Sequence, residues 1–137
     1  MKRIVILAAI VSLGLGAFGQ SKQIIENPTK AFSGTSWYPT GNQVWRSEYM
    51  WAYTVTLHFK GMSATTGYAM LQSSTYIDST FVTIPMVPAD SIAIDAADKT
   101  VKFLGEVFSD HYMRWFYRNG SSATGQVTAK IIFSRKM

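Results

Sequence analysis

The chain has no cysteine and only two histidines, at positions 58 and 111. The first absence excludes disulfide staples, thiol catalysis and cysteine-based metal sites. The second leaves little for acid–base chemistry. His58 falls on the polar side of a strand-like segment, and His111 follows Asp110. Neither lies near a Gly-x-Ser-x-Gly elbow, so both read as surface histidines and no triad is expected. Two imidazoles so far apart in sequence do not make a zinc spacing either. Charge is also scarce, at 15% of residues. The formal balance is +5, and removing Lys2 and Arg3 leaves +3. That excess is small and scattered, which argues against a nucleic-acid partner. No catalytic residue, metal or cofactor is expected.

Acids are similarly few. Glu26, Glu48, Asp78, Asp90, Asp95, Asp98, Glu106 and Asp110 make up all eight. Most stand beside turn residues, where short carboxylates bond local backbone. Asp95 and Asp98 have oxygens to offer calcium, but their loop is short and lacks a third acid. A plain hairpin at residues 95–99 is the expectation.

One long apolar run is present, and it is N-terminal. Lys2 and Arg3 precede an apolar stretch over residues 4–15, and Ala17-Phe18-Gly19 supplies small residues before Gln20. This is the order of a cleaved signal peptide, residues 1–19, with a retained N-terminal anchor as the rival reading. The run is shorter than the ~20 apolar residues a spanning helix needs, so no membrane association is expected after cleavage. The mature chain would hold 118 residues, 137 minus 19. That is enough for one domain with one core.

Residues 20–47 are rich in Ser, Thr, Gly, Asn and Pro and read as an N-terminal arm or loop. Residues 48–137 read as the folded domain. Its strongest signal is strict alternation. Tyr49, Trp51, Tyr53, Val55, Leu57 and Phe59 take the odd positions, and Met50, Ala52, Thr54, Thr56, His58 and Lys60 the even ones. Strand side chains point alternately to opposite faces, so this segment has one apolar face. Further strands are expected over residues 67–73, 80–84, 91–94, 100–104 and 111–118. Asn119-Gly120 opens what reads as a loop to Gly125. A last strand covers residues 126–134, with Val127, Ala129, Ile131 and Phe133 on one side.

About seven strands and no amphipathic helix make an all-β fold. The expected form is an antiparallel β-sandwich with jelly-roll-like connectivity, preceded by the apolar signal helix. Trp51 and Trp115 lie within strands and are expected in the core. Trp37, Tyr38 and Trp45 stand in the Gly/Thr/Asn-rich segment; they either cap one end of the core, as large aromatics commonly do, or are the candidate ligand-binding residues. Aromatic faces there would stack on a sugar ring or anchor a protein.

Several motifs carry a resemblance. Thr54-Val-Thr-Leu-His-Phe leads to Gly67-Tyr-Ala-Met-Leu-Gln-Ser-Ser. Asp110-His-Tyr-Met-Arg-Trp-Phe-Tyr leads through a Gly/Ser/Thr segment to Gly125-Gln-Val-Thr-Ala-Lys. Together they resemble small β-sandwich structural and adhesion proteins of tailed phages and prophages of Bacteroidetes hosts. Residues 78–84 depart from that pattern by lacking its Gly and Trp. The triplets at Asp78-Ser79-Thr80 and Asp90-Ser91-Ile92 resemble O-glycosylation sites of exported Bacteroidetes proteins, and Asn119-Gly120-Ser121 matches a sequon. The resemblance implies a non-catalytic structural or assembly protein, virion-associated or surface-exposed, with a protein partner or homo-oligomer. The signal peptide points instead to the periplasm, cell surface or exterior. The alternative is a secreted carbohydrate- or surface-binding module that uses Trp37, Tyr38 and Trp45.

Overall fold

The computed structural model describes residues 22–39, 43–47, 50–77, 80–84, 91–106 and 111–135. The signal segment, Tyr49, Asp78, Asp90 and Asp110 lie outside the described residues. Eight strands follow in order: β1 (Lys22–Trp37), β2 (Trp45–Arg46), β3 (Met50–Lys60), β4 (Gly67–Ser74), β5 (Val82–Thr83), β6 (Ile92–Ile94), β7 (Lys99–Glu106) and β8 (Tyr112–Arg135).

All pairings are antiparallel and belong to one sheet, with the path β5-β4-β8-β3-β7 and with β1 and β2 also on β8 and β6 on β4. The all-β antiparallel expectation holds, but the described strands form one curled sheet in place of the expected jelly-roll-like sandwich. The 24-residue β8 runs through both halves of the molecule and joins them. Its C-terminal half lies between β1 and β3, and β7 follows at the edge (wing one). Its N-terminal half lies against β4, whose other edge carries β5 and β6 (wing two). The sheet curls so that one face of each wing closes on a shared core. Phe59 of β3 meets Trp115 of β8 edge-to-face at 5.9 Å, and Phe32 of β1 lies 5.0 Å from Tyr117.

The bend in β8 is built from the residues that read as a loop. Gly34 pairs with Ala123 while Ser36 pairs with Arg118. Residues 119–122 therefore stand opposite Thr35 alone, as a broad bulge that turns the strand. Gly34 takes φ +127°, which side chains rarely adopt. Asn119 is buried, and its Oδ1 accepts from Thr66 Oγ1 at 2.9 Å and from the Gly120 N–H at 2.8 Å. Turn chemistry is present as expected, but pairing with β1 spends it on a corner rather than a loop.

Two further expectations are corrected. The supposed arm contains a 16-residue strand, Lys22–Trp37, because β8 offers it a backbone ladder along most of its length. Residues 95–98 do not make a hairpin. They carry the chain from β6 in wing two to β7 in wing one. Asp98 Oδ1 accepts from the Gly61 N–H at 2.8 Å, and Asp95 pairs with Lys99 at 2.7 Å.

The alternation in β3 holds from Tyr53 to Phe59, where odd residues are buried. It fails at Trp51, which is 44% exposed. Met50 pairs with Arg135 and Ala52 with Ser134, so Trp51 is an extra residue in the ladder. A one-residue slip reverses facing, and Met50 takes the place against the core. Trp115, at 2% exposure, is core as expected.

Candidate functional site

Inner-facing positions of β8 in wing two hold Met113, Trp115 and Tyr117, all buried. The outer-facing partners are therefore Tyr112, Arg114, Phe116 and Arg118. Register sets Tyr68 of β4 opposite Arg118, Met70 opposite Phe116 and Gln72 opposite Arg114. Tyr38 follows the end of β1 and stacks over Phe116 at 6.1 Å and 30°. The Arg114 guanidinium lies 3.9 Å from the Tyr38 ring centroid and 4.0 Å from that of Phe81. Its Nε donates to Gln72 Oε1 at 3.0 Å. Partial burial lowers the Arg114 pKa, and the electrostatic interaction with Tyr38 opposes the shift. A guanidinium is basic enough to stay cationic through the ordinary pH range, so the two rings clamp a fixed charge.

Beside this clamp an open groove of about 890 Å³ runs between β4, β8 and the end of β1. Tyr68, Phe116, Arg118, Ser36, Ser91 and Asn119 are among its walls. Tyr68 is 49% exposed. The groove thus offers aromatic faces, hydroxyls, an amide and a guanidinium. It can stack on a ring and donate hydrogen bonds to its substituents. Among the described residues that line it there is neither a carboxylate nor an imidazole.

The three aromatic residues singled out from sequence do not share this face. Trp45 is 1% exposed on β2, opposite Met113 in the core. Its indole N–H is buried with no acceptor among the described residues. Trp37 faces inward, 4.8 Å from Trp115. Tyr38 alone reaches the outer face, because consecutive residues of an extended chain point opposite ways. Tyr68, Arg114, Phe116 and Arg118 went unmarked in the sequence. For Arg114, Phe116 and Arg118 the signal was the even-numbered alternation over residues 112–118, visible but without a partner strand to give it meaning.

Several charged groups elsewhere are engaged locally. Glu26 and Lys130 pair at 2.6 Å across β1 and β8, and this hydrogen bond holds the Glu26 carboxyl below its usual range. Asp95 is lowered likewise, first by its hydrogen bond to Lys99. His58 Nδ1 sits 2.8 Å from Thr100 Oγ1 on the outer face of wing one, and His111 is exposed before β8. Among the described residues no cluster of three or more His, Asp or Glu is placed to hold a metal ion.

No protein-family model matches the chain, and no curated protein matches it. Solved structures with some likeness to it include one described as "Bacillus endospore appendages form a novel family of disulfide-linked pili". The likeness has a TM-score of 0.41 at 12% identity, over 85% of this chain and 92% of that one.

Proposed function

We propose that the chain is an exported, non-catalytic structural protein that works by assembling with other protein subunits at a surface. The observation carrying this reading is the pair of long sheet edges in wing one. Among the described residues β1 pairs only with β8, and β7 pairs only with β3. An exposed edge presents a row of backbone donors and acceptors, which is a template for a further strand. The curled sheet has already used its inner faces for the core, and the edges in wing one keep their outward backbone groups unpaired among the described residues. Export rests on the basic, apolar and small-residue order of residues 1–19. The phage-like motifs would set the same assembly in a virion. Light scattering on the exported protein tests the reading. A stable oligomer is expected, and a monomer at every concentration up to its solubility limit overturns it. Mass spectrometry of the native N-terminus tests export, and an intact Met1 overturns that part.

A glycan-binding module is the second reading, favoured by Tyr68 and Phe116 flanking Arg118 in the open groove. Here Tyr68→Ala is the informative variant on a glycan array. Trp45→Ala would act through the core instead. Binding lost in Tyr68→Ala at unchanged stability supports the module, and an array with no signal for the unaltered protein sinks it.

A further inference from the structure

Wing one presents an outer face whose rows can be read across all four strands. Register aligns Ile24 with Ile132, Ile132 with Thr54, and Thr54 with Leu104. The adjacent row runs Lys22, Ser134, Ala52 and Glu106, and the row on the other side runs Glu26, Lys130, Thr56 and Lys102. Each row ends on β1 at one edge and on β7 at the other. The β1 ends read Lys22, Ile24, Glu26, and the β7 ends read Glu106, Leu104, Lys102. All six side chains are exposed, Ile24 by 58% and Leu104 by 62%. Lys22, Lys102 and Glu106 make no ion pair among the described residues.

The two edges are complementary, row by row. We infer that β1 of one copy adds antiparallel to β7 of the next, setting Lys22 against Glu106, Ile24 against Leu104, and Glu26 against Lys102. The inference rests on the assembly reading above and supplies its partner, a second copy of this chain. Three geometric conditions are met together. Strand direction alternates across β1, β8, β3 and β7, so β7 and the next β1 run antiparallel when the sheet continues. Hydrogen-bonded and non-bonded pairs alternate along a row. The row from Ile24 to Leu104 holds three pairings, so a fourth continues the alternation without a fault. Faces agree as well, since the inward neighbours would be Ile25 and Phe103, which already belong to the core side.

The pairing also has a natural end. Residues 22–27 would meet residues 101–106, and Pro28 with the register shift after Asn27 then interrupts β1. Proline on an edge cannot donate to a ladder. A two-residue shift one way would set Lys22 against Leu104 and Ile24 against Lys102, and the other way Ile24 against Glu106 and Glu26 against Leu104, losing the charge pairs and the apolar pair together. The contact is heterologous, since each copy uses a different edge, and it therefore builds rings or open filaments rather than closed dimers.

Disulfide trapping tests the register directly, because the natural chain has no cysteine to interfere. The double variant Ile24→Cys/Leu104→Cys should form a ladder of linked oligomers under mild oxidation. Opposed antiparallel residues stand about 4.5–5.5 Å apart at Cα, within disulfide reach. Ile24→Cys/Thr100→Cys should stay unlinked, being offset by roughly 14 Å along the strand. All three positions are exposed, and circular dichroism on the reduced proteins checks that the fold is intact. In the charge arm, Glu106→Lys or Lys22→Glu alone should weaken association several-fold, and the two together should restore it. An unaltered protein that oligomerises while the first pair fails to link, or links no better than the offset pair, overturns this register and leaves the assembly reading standing. A strictly monomeric protein overturns both.

Discussion

Replacing Gly67 by alanine is the sharpest probe of how wing two closes on the core. Gly67 begins β4, and a Cβ there would lie 2.4 Å from Cε2 and from the hydroxyl oxygen of Tyr117, and 2.6 Å from its Cζ. Ordinary contact begins near 3.4 Å, so the ring must withdraw by about 1 Å. It has nowhere to go. Tyr117 is 0% exposed and lies 5.0 Å from the Phe32 ring and 5.9 Å from that of Phe59. Overpacking of this kind costs about 1–3 kcal/mol. Alanine recovers roughly 0.5–1 kcal/mol of the conformational disadvantage of glycine in a strand. The expected net loss is about 1–2 kcal/mol. Urea unfolding followed by tryptophan fluorescence should show the midpoint falling by about 1 M, for a slope of ~1–3 kcal/mol/M. Leucine lacks all three crowded atoms, so in a Tyr117→Leu background Gly67→Ala should be neutral or slightly stabilising. The resulting coupling of about 1–3 kcal/mol is measurable by a double-mutant cycle. Equal effects of Gly67→Ala in both backgrounds would refute the crowding account. Gly120→Ala serves as control, because nothing lies within 4 Å of its Cβ.

Trp45→Ala should cost about 3–5 kcal/mol by calorimetry, as a cavity in a buried aromatic site. Trp45→Phe should cost under about 1.5 kcal/mol, because it also removes an indole N–H that lacks an acceptor among the described residues. Asn119→Ala should lose about 1–3 kcal/mol in chemical denaturation, since it leaves the Thr66 hydroxyl and the Gly120 N–H without their acceptor at the β8 corner. At alkaline pH, burial raises the Tyr53 and Tyr117 hydroxyls above the ordinary value of 10.0, with Asn119 partly offsetting the rise at Tyr117. The unfolded chain then releases these protons first. Stability is intact below pH about 10 and falls as pH climbs from there through the folded-state values. The Tyr53→Phe/Tyr117→Phe protein should show a flatter decline in a pH series of urea midpoints, and an unchanged slope would contradict the assignment.

Local alternation determined where the strongest strands lie and which face of each is inner. Residues 53–59 and 127–133 needed nothing beyond a period of two and apolar side chains on one phase. All-β class followed from the same signal. Pairing did not, since the partners of β8 in wing one begin at residues 22 and 50, about a hundred positions away. For that reason β1 looked like an arm. Its Ser, Thr, Gly and Asn content is that of a loop, few of its side chains are buried, and it is a strand because β8 supplies a ladder. Residues 119–122 carry turn chemistry whether they close a hairpin or bend a long strand, and only the register against Gly34 and Ser36 decides between them. The same holds for Trp51, whose exposure follows from one extra residue opposite Ser134 and Arg135.

The site divides in the same way. Composition showed aromatics near residues 37–45, but facing and strand neighbours decided that Trp45 is core, Trp37 is inner and Tyr38 is outer. Arg114, Phe116, Arg118 and Tyr68 became a groove wall only once β4 lay beside β8. The sequence by itself determined a cysteine-free chain, poor in histidine and charge, with strongly alternating strands. Tertiary structure alone decided that those strands form one curled sheet with two complementary edges, because hydrogen-bond register between distant segments is a property of their meeting and not of either segment.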